Sequence, residues 1–222
     1  MTYKTLLILL LPFAVFSQKF SHADSLRGTL SPARACFDVL HYGLHVTVNP
    51  AEKSIAGTNN IRFITTQKTS EIQLDLFADL IIDEIRWANK KVNFRRDGNA
   101  IFIQAGKEIP AKQVQTVWVK YHGLPRPAVK PPWDGGFSWT KDPKGNPWVT
   151  VSCEGLGASV WWPCKDHPSD EPASMDIRIE GPKGLVSVSN GNLIEKISKT
   201  STDEYHWKVS YPINLYNVSI NM

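Results

Sequence analysis

Residues able to do chemistry crowd into one stretch of this chain, WVTVSCEGLGASVWWPCKDHPSDEPAS, from Trp148 to Ser174. It opens as a strand, apolar at Val149 and Val151, and then delivers Glu154 into a Gly155/Gly157 turn. A carboxylate set at a sheet edge beside flexible backbone is how binding sites are commonly built on β scaffolds. Further along, Asp166, His167, Asp170 and Glu171 supply carboxylates and an imidazole within six residues, the ingredients of a metal centre. Pro163, Pro168 and Pro172 break that segment into turns, however, where Asp commonly caps backbone amides. We therefore read these acids as structural and assign no metal ligand among them.

The remaining reactive groups leave alternatives open. Cys153 and Cys164 either pair across the glycine-rich turn, leaving Cys36 free, or all three are buried thiols; pairing is a matter of geometry that spacing does not supply. His41 and His45 stand four apart, but residue 42 is Tyr and the setting is a strand, where i and i+4 share a face about 13 Å apart. They read as solvent-side strand residues rather than zinc ligands. Trp133, Trp139, Trp148, Trp161 and Trp162 gather in and after a loop rich in Pro and Gly. Such aromatics serve packing or a domain interface more readily than ligand stacking.

These groups must be positioned by strands. From Leu40 to Val48, Leu40, Tyr42, Leu44, Val46 and Val48 alternate with His41, Gly43, His45 and Thr47, the pattern of a half-buried strand. Asn49 to Lys53 supplies a turn, and Ile55, Ile61 and Phe63 mark the returning strand. The same grammar recurs in Ile72/Leu74/Leu76, in Val92/Phe94 and Ile101/Ile103 joined through Asp97-Gly98, and in Val117/Val119/Tyr121. Between Gly123 and Pro147, with six of the fifteen prolines, the spacing predicts a long irregular loop. Strands resume at Met175–Ile179, Leu185–Val188 and His206–Tyr211, and the final NVSINM reads as a strand stopped in mid-run, as in a C-terminally incomplete domain. An all-β fold follows, a twisted antiparallel β-sandwich of two sheets packed face to face.

The start, MTYKTLLILLLPFAVFS, has Lys4 before an apolar run from Leu6 to Phe16 and a small residue at Ser17. Residues 1–17 read as a secretory signal peptide. The run is shorter than the roughly 20 residues that cross a bilayer, and no later segment is longer, so no transmembrane segment remains after cleavage. The protein is expected to be exported: periplasmic, on the cell surface or secreted. Residues 18–35 then form an N-terminal linker and 36–222 the β domain. The net charge of +4 is mild and the basic residues are scattered, which argues against nucleic acid as a partner.

FDVLHYGLHVTVNPAEKSIAGTNNIRF, the block SCEGLGASVWWPCKDHPSDEPASMDIRI, GLVSVSNGNL and WKVSYPINLYNVSINM together resemble the N-terminal domain of zinc aminopeptidases of the aminopeptidase N family. The resemblance covers nearly all of the chain after the signal peptide. It implies a saddle-shaped β domain that closes one side of the cleft of a thermolysin-like catalytic domain, which would be its partner in the same protein. It also implies that Glu154 binds the free α-amino group of a peptide substrate and that Cys153 touches the substrate's first side chain, a plain buried thiol being the other reading of Cys153. Asp166 and Pro172 are structural by the same likeness. The family's zinc requires HExxH on a helix, with two imidazoles one turn apart and a glutamate as general base. Neither that motif nor GxMEN occurs here. Zinc is thus expected as the cofactor of the complete enzyme, and this chain alone is expected to be inactive. Read without the resemblance, the alternative is a secreted β-sandwich binding module, for carbohydrate or protein, using the tryptophan-rich loop.

Overall fold

The computed structural model describes residues 19–222. The signal-peptide segment 1–17 lies outside the described residues. Strands in chain order are β1 (Phe37–Asn49), β2 (Ser54–Thr65), β3 (Thr69–Asp75), β4 (Leu80–Trp87), β5 (Lys90–Lys91), β6 (Phe94–Asp97) and β7 (Ala100–Ile109). There follow β8 (Val114–Gly123), β9 (Gly136–Lys141), β10 (Pro147–Ser152), β11 (Ser174–Pro182), β12 (Asn192–Ser198) and β13 (Thr202–Val209). Eight of them form one sheet in the order β12-β13-β11-β1-β2-β8-β4-β5; β3-β7-β6 form a second sheet and β10-β9 a hairpin. The all-β expectation holds. Every pairing is antiparallel except that of β1 with β11, which run parallel.

Alternation along β1 is interrupted once. A bulge between Val39 and His41 changes the phase, so Phe37 and Val39 point inward as well as Tyr42, Leu44, Val46 and Val48, while Leu40 is only partly buried. These side chains join Ile61, Phe63, Val117, Val119 and Tyr121 of the large sheet, and Ile72, Leu74, Ile101 and Ile103 of the small one, in a single core. Trp161 and Trp162 lie within it, and the Trp162 ring meets Tyr42 edge-on at 4.9 Å. The β6–β7 hairpin turns through Gly98, whose φ of 56° explains the Asp-Gly signal.

Three sequence expectations are refined. In the segment 18–35, expected as an N-terminal linker, the described residues carry two short helices, α1 (His22–Gly28) and α2 (Pro32–Ala35). Ser21 and Asp24 form a reciprocal capping box that starts α1. Ser31 and the Leu26 carbonyl bond the buried amide of Gln73, and Arg34, fully buried, donates to Asp75 at 2.7 Å. This segment therefore covers the outer face of β3, whose last four residues are all buried. The predicted strand Leu185–Val188 is not formed, because Gly184 at φ 92° turns the chain and is held by Asp203; only Val188 makes an isolated bridge, to Asn221. The 123–147 loop is not wholly irregular, since Gly136–Lys141 forms β9.

The last residues lie beside β10, paired through an isolated antiparallel bridge between Thr150 and Asn221 rather than as a full strand. Val149 and Met222 exchange two backbone hydrogen bonds of 2.8 Å, and Val151 donates to Ile220. Leu215–Asn217, just before and at the start of the terminal stretch expected as a strand, is a 3-10 turn capped by the Asn214 side chain.

Candidate functional site

Strand β10 hands the chain to a tight turn. The Cys153 carbonyl accepts from Leu156 N–H at 3.0 Å and Gly157 N–H at 2.8 Å, leaving Glu154 at the tip. Gly155, at φ 67°, occupies the turn position that requires a positive φ. Ser152 anchors the approach by donating to the Pro132 carbonyl at 2.7 Å. The exposed Glu154 carboxylate accepts the Tyr216 hydroxyl through Oε2, which leaves Oε1 free to accept. Among the described residues no lysine, arginine or histidine forms an ion pair with it.

Beside this turn lies a cleft of about 290 Å³, lined by Cys153, Gly157, Asp166, His167, Asn214 and Tyr216 among others. That volume suits one amino-acid side chain or a terminal group rather than a long ligand. Cys153 is nearly fully buried in its wall. Burial, with the nearby Asp166 charge adding to it, pushes its thiol up to about 12, so it is a neutral, inert lining group and not a nucleophile. All three cysteines are free, and no Cys153–Cys164 bridge exists.

The acids after the turn are spent on structure. Asp166 accepts from Ala158 N–H (3.3 Å), Ser159 N–H (3.0 Å) and Ser159 Oγ (2.7 Å), capping the short 3-10 turn Ala158–Val160. A Cβ on Gly157 would stand 2.2 Å from Asp166 Oδ2, so that glycine is required both by contact and by its φ of 86°. Asp170 accepts the Val39 N–H freed by the β1 bulge and pairs with Lys165 at 2.7 Å. Burial raises the Asp170 carboxyl above its ordinary value, against the pull of Lys165. His167 turns back onto Ser169, and Glu171 is exposed. Asp166 and Asp170 thus each accept backbone amides, the use of Asp that a turn-rich segment leads one to expect.

The tryptophans divide in the same way. Trp161 and Trp162 are core, Trp139 stacks on Phe137 at 5.0 Å, and Trp133 and Trp148 are exposed. Tyr216 and Asn214 complete the site although sequence reasoning did not find them. They sit some 60 residues from Glu154, between two stretches read as strands, and their only local signal is an Asn able to cap a turn.

The residues present do not fit the catalytic zinc of the resembled enzymes. Among the described residues, His45 meets Glu180 and Glu204 across three neighbouring strands of the large sheet, with a single histidine and no place in the cleft beside Glu154.

The family described as the Peptidase M1 N-terminal domain matches residues 39–216. No curated protein matches the chain. Among solved structures, a mutant of an M1 zinc metallopeptidase from Deinococcus radiodurans aligns with a TM-score of 0.74 at 19% identity over 88% of this chain and 44% of that one. A mutant of the same enzyme bound to a Tyr-Ser-Ala substrate aligns at 0.73, with 20% identity over 88% and 44%. LTA4 hydrolase from Saccharomyces cerevisiae aligns at 0.68, with 21% identity over 92% and 31%. The chain thus spans less than half the length of each of these structures.

Proposed function

Because this chain belongs to the Peptidase M1 N-terminal domain family, we propose that it is the substrate-anchoring domain of an exported zinc aminopeptidase, in which Glu154 holds the free α-amino group of a peptide. The observation that carries this reading is the Glu154 carboxylate itself. It is presented at the tip of a turn fixed by Asp166, oriented on one oxygen by Tyr216, and left with its other oxygen and its charge uncompensated. An ammonium leaving water needs such a partner, and the charge-assisted hydrogen bond contributes about 1.5–3 kcal/mol. A peptide with a blocked N-terminus carries no positive charge and would be rejected. The neighbouring cleft, with Cys153 in its wall, would receive the first side chain.

The thermolysin-like domain with HExxH would supply the zinc and the bond-breaking step, so this chain's contribution is binding and orientation, and the isolated chain hydrolyses no aminoacyl substrate with or without added zinc. The signal-peptide pattern of residues 1–17 supports export. The test is Glu154→Ala in the complete enzyme. It should lower kcat/KM for a neutral aminoacyl substrate by about one to three orders of magnitude. Unchanged kinetics with an intact fold would overturn the assignment.

A further inference from the structure

His45, Glu180 and Glu204 meet on the outer face of the large sheet, one from each of β1, β11 and β13. Glu180 and Glu204 are directly opposite one another in the β11–β13 ladder, an arrangement of like charges that is unfavourable unless a cation intervenes. Lys199 provides one: its Nζ lies 2.8 Å from Glu180 Oε2 and 3.0 Å from Glu204 Oε2. His45 Nε2 faces the same two carboxylates at 3.8 Å from each, too far for a hydrogen bond. That nitrogen is shielded from solvent and has no hydrogen-bond partner among the described residues. One imidazole nitrogen and two carboxylate oxygens thus lie within 4.8 Å of one another, and the two oxygens now share a lysine ammonium as their positive charge.

From this geometry we infer that the outer face holds a divalent transition-metal site, formed by His45 Nε2 and one oxygen each of Glu180 and Glu204, with zinc as the fitting ion. Zinc takes nitrogen and oxygen ligands at about 2.0–2.2 Å, which in a tetrahedron places them roughly 3.4 Å apart. His45 Nε2, at 3.8 Å from each carboxylate oxygen, needs to close in by about 0.4 Å to reach that spacing, and the fourth position stays with water. Metal entry displaces the Lys199 ammonium toward solvent, where its side chain is already 43% exposed. Arg178 remains on Glu204 at 2.9 Å and Thr202 on Glu180 at 2.6 Å, each on the oxygen not used for the metal, as outer groups that orient ligands do. Since the ligands tie β1, β11 and β13 together and lie apart from the Glu154 cleft, the role is structural.

The experiment is titration of the full chain with Zn²⁺ by calorimetry, and with Co²⁺ by visible absorption. Saturable binding of one ion per chain is expected, with the absorption of a four-coordinate cobalt centre. His45→Ala, at a half-exposed position, should keep the fold and weaken binding by about 10–100-fold or more. Lys199→Ala should tighten it by about tenfold, because a competing like charge is removed. Absence of one-to-one binding, binding unaffected by His45→Ala, or loss of binding on Lys199→Ala would each overturn the site.

Discussion

Asp166 accepts both the backbone N–H of Ser159, at 3.0 Å, and its hydroxyl, at 2.7 Å, and so ties the turn carrying Glu154 to the segment that follows the paired tryptophans. Asp166→Ala would leave these donors, and Ala158 N–H, without an acceptor in a largely buried place. At about 1–3 kcal/mol for each buried unsatisfied group, partly relieved by water, the expected loss is about 2–4 kcal/mol in urea unfolding. Asp166→Asn keeps one oxygen acceptor and should lose less than half as much. Equal losses in the two variants would show that the charge, rather than the capping geometry, matters.

The alternation that made most strands legible in the sequence comes from burial on one face, as in β1, β8 and β11. It failed where burial does not alternate. Strand β12 is exposed along its whole length and shows no pattern, while the short helices before β1 are too brief to display a 3.6-residue stripe. The Leu40 bulge has no local sequence signal, since the Asp170 carboxylate that accepts the Val39 N–H there lies 131 residues away. At the candidate site, Glu154 and Gly155/Gly157 were readable because a turn is local, whereas Tyr216 reaches Glu154 only through the fold. The His45 cluster escaped for the same reason: spacing along one strand shows His41 and His45, and only the register of β11 and β13 brings Glu180 and Glu204 to His45.

The cysteines should be silent in the native state. Cys36, Cys153 and Cys164 are buried and unpaired, and burial raises each thiol above its ordinary value near 9, Cys153 to about 12. A thiol-specific disulfide reagent at pH 8 should label none of them in the native chain and all three after denaturation. The folded chain holds the Cys153 proton more tightly than the unfolded one, so this residue's contribution to stability is intact below about pH 9 and is lost as pH rises toward 12. Rapid labelling of Cys153 in the native chain would contradict its place in the cleft wall.

Arg34 and Asp75 test whether the segment before β1 belongs to the domain. Arg34 is fully buried, donates to the Asp75 carboxylate, and also bonds the Arg27 and Thr29 carbonyls, so it fastens both helices to β3. Arg34→Ala strands a buried carboxylate, and breaking such a pair from one side costs about 3–5 kcal/mol. Asp75 supplies a signature that a mere packing defect would lack. Burial pushes its carboxyl up to about 6 even with Arg34 pulling it down, so the folded state favours the protonated form, and stability rises as pH falls from about 6 toward 4. Without Arg34 that carboxyl moves higher still, and the variant should recover stability on acidification beginning at a higher pH than the parent chain. Adding Asp75→Asn should remove this pH dependence and restore part of the loss, since the orphaned charge is gone. A loss in Arg34→Ala that is the same at pH 5 and pH 7.5 would mean that packing of α2, not the buried ion pair, holds the segment in place.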